Sequence, residues 1–103
     1  MPRPLGDSAP REYTDAPEAW LDAALVEDSP VSAIYAVEFA KRLRTAVRAS
    51  GLSLRAIEAR SGVSRKTIER VLAGQVLPTF GAIARLEEFF DADLWPGRDL
   101  RAR

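Results

Sequence analysis

Residues 53–74 read SLRAIEARSGVSRKTIERVLAG, and the rest of the chain is arranged around them. The pattern predicts two short helices joined by a tight turn. Ser53 caps the first, with Leu54, Ala56, Ile57 and the aliphatic stem of Arg60 along one side. Ser61-Gly62-Val63-Ser64 interrupts the period: Gly62 supplies the left-handed residue that ends a helix, and Ser64 caps the next. In the second helix Ile68, Val71 and Leu72 fall at i, i+3 and i+4 and face inward. Arg65, Lys66, Glu69 and Arg70 are left on the exposed side. A helix that is apolar behind and mostly basic in front suits the major groove of a duplex.

Outward from this pair, residues 75–78 form a loop and Thr79 caps a helix reaching about residue 90. Phe80, Ile83, Leu86 and Phe90 have helical spacing and are expected in the core. Residues 91–94 turn out of that helix, Leu94 and Trp95 fold back over the core, and Pro96-Gly97 ends the ordered structure. On the other side, Ser29 is the expected cap and Pro30 the first position of a long helix over 31–50, ending at Gly51. Ala36, Phe39, Ala40, Leu43, Ala46 and Val47 keep its period, and Lys41, Arg42, Arg44 and Arg48 lie off that face. Upstream again, Asp15 with Glu18 makes a capping-box start and Pro17 suits a first turn, predicting a short acidic helix over 14–28. Trp20, Leu21, Ala24 and Leu25 line one side of it, for packing on the main domain or for a dimer or partner surface. Residues 1–13, with Pro2, Pro4, Gly6 and Pro10, read as a flexible arm, from which Arg3 or Arg11 could alternatively reach a minor groove. The expected division is thus an arm over 1–13, an acidic helix over 14–29, a DNA-binding domain over 30–97 and a basic tail over 98–103.

The chain has 103 residues, 47% of them hydrophobic, which suits one modest core with an extension. It has no cysteine and no histidine. Disulfides, thiolate metal sites and histidine-dependent acid–base chemistry are therefore excluded, and no catalytic residue, metal site or cofactor is expected. No apolar run approaches the ~18 residues of a membrane span, so a soluble cytoplasmic protein is the expectation. The zero net charge conceals a segregation. Residues 1–40 set two arginines against eight carboxylates, net −6, while residues 41–74 set nine bases against Glu58 and Glu69, net +7. The basic block coincides with the two-helix stretch, which points to a polyanionic partner.

The span 39–95 resembles the lambda-repressor/Cro-like (XRE) helix-turn-helix family. The resemblance is carried by Gly62, the hydrophobic Val63 after it, Ile68, Val71, the closing Gly74, and Pro78 before the next helix. It implies an all-α fold, a lambda-repressor-like bundle of four to five helices, here with an extra N-terminal acidic helix. Leu54 departs from the family where a phosphate-binding glutamine is common, Glu58 where a small residue packs, and Gln75 where a basic residue is frequent. Glu87 sits in a helix stripe where the family tends to be apolar.

In such a domain Arg65, Lys66, Glu69 and Arg70 are the candidates for base contacts. Arginine to the guanine O6 and N7 is the commonest specific pairing, so Arg65 favours a G·C pair. Glu69 either accepts from a cytosine amine or pairs with Arg65 at i+4, the pairing being the favoured reading. Ser53, Arg55, Ser64, Thr67, Arg42 and Gln75 are the candidates for phosphate contacts, with Ser64 equally suited to capping and Arg42 drawn from a first helix that runs near the backbone in the family. The expected partner is double-stranded DNA. A homodimer would use the Trp20 face, the 89–95 region or neither. The function implied is that of a sequence-specific transcriptional regulator, most simply a repressor of bacterial or temperate-phage type. The alternative is an antitoxin whose acidic N-terminal segment binds a toxin and whose DNA binding serves autoregulation.

Overall fold

In a computed structural model, which describes residues 8–98, four α-helices follow two single 3-10 turns. The helices are α1 (Val31–Ser50), α2 (Leu54–Ser61), α3 (Arg65–Leu72) and α4 (Phe80–Phe90). Their limits follow from local chemistry. Ser53, Ser64 and Thr79 each accept a bond from the backbone N–H three residues on, at 3.1 Å in every case, which satisfies an orphan donor of the first turn. Gly51 and Gly62 end α1 and α2 with φ of 67° and 80°, where a side chain would be strained.

Phe39, Leu43, Ile57, Val63, Ile68, Val71, Ile83, Leu86 and Leu94 make one buried core, so every α-helix contributes to it. The chain leaving α4 closes over this core. Glu87 Oε2 accepts the backbone N–H groups of Leu94 at 2.8 Å and Trp95 at 2.9 Å, and Arg42 Nη1 donates to the Asp93 carbonyl at 3.3 Å. Trp95 then rests edge-on against Tyr35, with ring centroids 5.3 Å apart, and tilted against Phe39 at 6.2 Å. Glu87 interrupts the apolar stripe because its carboxylate replaces the missing helix partners of this returning loop.

Asp91 ends α4 in the left-handed region, with φ of 50°. Relief of left-handed strain, about 1–2 kcal/mol for a side-chain-bearing residue, outweighs the extra unfolded-state entropy of glycine, about 0.4–1 kcal/mol. Asp91→Gly is therefore expected to raise stability by about 0.5 kcal/mol. A urea midpoint that does not rise would show that the Asp91 side chain offsets this strain.

Four expectations need correction. Residues 14–28 are not an α-helix: Pro10–Tyr13 and Pro17–Ala19 form 3-10 turns, and Thr14 bridges Leu25 in antiparallel fashion. The apolar period over 20–25 was compatible with a helix, but Trp20 and Leu21 are buried against α1 while Ala24 is exposed. Of the expected flexible arm, residues 8–13 are docked, with Pro10 fully buried, and residues 1–7 lie outside the described residues. Phe80 is 90% exposed rather than core. It occupies the first position of α4, and Cα–Cβ bonds tilt toward a helix's N-terminus, so its ring projects off the end of the stripe that Ile83 and Leu86 bury. Ser29 does not cap α1 either: Pro30 holds the cap position and the Ser29 hydroxyl donates to the Val26 carbonyl at 2.6 Å.

Candidate nucleic-acid interface

α2 and α3 meet through a turn that the sequence fixes residue by residue. The Gly62 N–H donates to the Glu58 carbonyl at 3.0 Å, the Val63 N–H to Ser61 Oγ at 3.1 Å, and the Val63 side chain is buried between the helices. Ile68 and Val71 bury the inner face of α3, which leaves Lys66, Glu69 and Arg70 exposed and Arg65 half-buried. The favoured Arg65–Glu69 pair is not formed. Among the described residues the ion pairs are Arg42–Glu38 at 3.3 Å and Arg44–Asp22 at 3.6 Å. The Arg65 guanidinium and the Glu69 carboxylate are each left to an outside partner.

The candidate phosphate contacts divide by what they already hold. Ser53 Oγ accepts the Ala56 N–H, and its own hydroxyl proton remains to donate outward. Ser64 Oγ accepts the Thr67 N–H and lies 2.8 Å from Thr67 Oγ1, so whichever hydroxyl donates to the other, the pair keeps one proton for a phosphate oxygen. Arg55 and Gln75 are exposed. Arg42 differs, since it grips Glu38 and the Asp93 carbonyl and so holds the chain after α4. Leu54, at the position expected to carry a phosphate-binding group, packs against the core.

The C-terminal end of α3 is held by parts that local patterns do not reveal. The Ala73 N–H donates to the Glu69 carbonyl, Gln75 N–H to Arg70 and Gly74 N–H to Val71, the last two forming a Schellman motif around Gly74 at φ 71°. The fourth terminal carbonyl, of Leu72, accepts the Trp20 indole N–H at 2.9 Å. The Arg11 N–H donates to the Gly74 carbonyl at 3.0 Å. Trp20 is only 3% exposed, so of the uses expected for its face the packing on the main domain is the one the fold adopts, and the indole itself is not open to a dimer mate or protein partner. A buried indole needs an acceptor, which was the available signal; that the acceptor lies 52 residues away was not.

Residues 38–103 match the family model of a helix-turn-helix domain. Compared with curated proteins and with solved structures, the chain finds no match in either. No described helix is long and apolar enough to cross a membrane.

Proposed function

The chain belongs to the helix-turn-helix domain family, and on that premise we propose that it is a transcriptional regulator that reads a double-stranded operator through α3. The observation that carries this reading is the exposed row of Lys66, Glu69 and Arg70 beside Arg65, on a helix whose back is buried and whose charges make no internal ion pair. Arg65 and Lys66, in the first turn, read base edges, with Glu69 and Arg70 one turn on. The hydroxyls of Ser53 and of the Ser64–Thr67 pair, together with Arg55 and Gln75, hold phosphates and set the register. Arg42, partly exposed and already paired with Glu38 and the Asp93 carbonyl, contributes to holding the chain after α4.

Its action is most simply repression by occluding a promoter, within the lambda-repressor/Cro-like branch of the family that the Gly62, Val63, Gly74 and Pro78 spacing supports. A short reading helix covers few base pairs, so two copies on half-sites ~34 Å apart are part of the proposal. The toxin-binding alternative drew on a loosely held acidic N-terminus. Residues 8–28 are held to the fold through the buried Pro10, Thr14, Trp20 and Leu21, while Glu12, Asp15, Glu18, Asp22, Glu27 and Asp28 stay exposed, so the segment is a docked strap with an acidic outer side.

The test is fluorescence anisotropy against the gene's own upstream duplex and a scrambled one, across a salt titration. The wild-type protein is expected to prefer the upstream duplex with a steep salt slope. Arg65→Ala should lose about 1–3 kcal/mol on the upstream duplex and relax the choice at one base pair. Equal weak binding to both duplexes, unchanged by Arg65→Ala, would sink the reading.

A further inference from the structure

The family match begins at Glu38, yet the end of α3 is completed by residues well before it. We propose that the segment over residues 8–22 is a working part of the DNA-reading unit, with Trp20 as a positioning residue for α3. This rests on the DNA-binding reading above.

α3 has eight residues and is anchored by the buried Ile68 and Val71, with the partly buried Leu72 also packed against the core. A helix of two turns is marginal by itself, and apolar anchors along one face leave it able to rock about that line. Base readout tolerates little of this, because contact side chains must be held to within roughly 0.5 Å by their supporting shell. Its N-terminal end is fixed by the Ser64 cap and the buried Val63. Its C-terminal end is held by Leu72, by the following chain and by the segment before α1. Three of its last four carbonyls are taken by the following chain, and the fourth by Trp20.

The contact is close as well as polar. A Cβ built on Gly74 would lie 2.6 Å from two Trp20 ring atoms and 2.9 Å from Arg11 Cβ, so the indole and the Arg11 backbone sit directly on the turn that ends α3. The other surroundings of Trp20 are Leu21, Ala40 and Val37, a cluster separate from the main core. Trp20 therefore ties the end of α3 to α1 by a route independent of Ile68 and Val71. Loss of its N–H leaves the Leu72 carbonyl without that partner while the exposed face of α3 keeps every side chain. The consequence belongs to discrimination between sequences, not to charge.

The experiment replaces Trp20 by benzothienylalanine, which keeps the two-ring shape and lacks the donor, with Asp22→Asn as a control. That control breaks only the Arg44–Asp22 pair of the same segment. Affinity for the upstream and scrambled duplexes is read well below each melting temperature, alongside hydrogen exchange of the Gly74 and Gln75 amides. The upstream preference is expected to fall about five- to tenfold, with scrambled-duplex affinity within twofold of wild type and faster exchange at both amides. Asp22→Asn should keep the preference. A Trp20 variant that melts lower but keeps the full preference overturns the inference, as does an equal loss in Asp22→Asn. Gly74→Ala, which drives a methyl group into the indole, should lose the preference by a second route; its retention in a folded Gly74→Ala protein also overturns the inference. A wild-type protein that binds both duplexes alike overturns the DNA reading itself, and this inference with it.

Discussion

Phe39→Ala is expected to cost about 3–5 kcal/mol, the value for truncating a fully buried aromatic that neighbours cannot replace. Phe39 is wholly buried in α1 within the cluster that takes side chains from α2, α3 and α4, and its ring also supports Trp95. Against a total stability of about 5–15 kcal/mol for a domain of this size, that loss leaves a marginal protein. The melting temperature should fall by more than about 12 °C, at roughly 4 °C or more per kcal/mol for a domain of this length. Trp95 emission should move to longer wavelength as its ring loses one neighbour, read in a Trp20→Phe background to isolate it. A loss under about 1 kcal/mol would mean that the core closes over the gap, and that Phe39 is not the residue on which the four helices converge.

Glu87→Ala should follow, with a loss of about 1.5–3 kcal/mol. Each bond to a charged acceptor contributes roughly 1.5–3 kcal/mol, and the two share one oxygen, so they do not add in full. Without the carboxylate, the Leu94 N–H loses its acceptor in a partly buried site, while the exposed Trp95 N–H turns to water. The loop that closes the core then loosens. Glu87→Gln retains an acceptor oxygen and should recover about half of the loss. Chemical denaturation of the three proteins measures this. Equal stability of Glu87→Ala and wild type would show that Arg42 and the ring contacts hold the segment unaided. DNA affinity below the melting range should change little in either variant, since Glu87 is remote in function from the exposed face of α3.

The α2–turn–α3 unit was legible in the sequence because its determinants are local. Ser53, Ser64 and Thr79 bond to amides three residues away, and Gly51, Gly62 and Gly74 occupy backbone states that other residues resist. The inward period of Ile68 and Val71 also fixed which side of α3 faces out, so Lys66, Glu69 and Arg70 could be placed there before any coordinates. Tertiary structure decided what the local pattern left degenerate. Over residues 14–28 the same apolar spacing fits a helix or a docked coil, and the choice fell to Trp20, whose N–H found the Leu72 carbonyl 52 residues along the chain. Phe80 kept the helical period of a core residue but lies at the first position, where there is no preceding turn to bury it. Arg42 was legible only as a charge, and the fold gives it Glu38 and the Asp93 carbonyl as partners, while Glu87 looked misplaced until the returning chain supplied its two donors. Caps, turns and periods act within about four residues and can be read along the chain. The partner of a buried donor or a lone carboxylate is set by packing, and only the folded chain brings the two together.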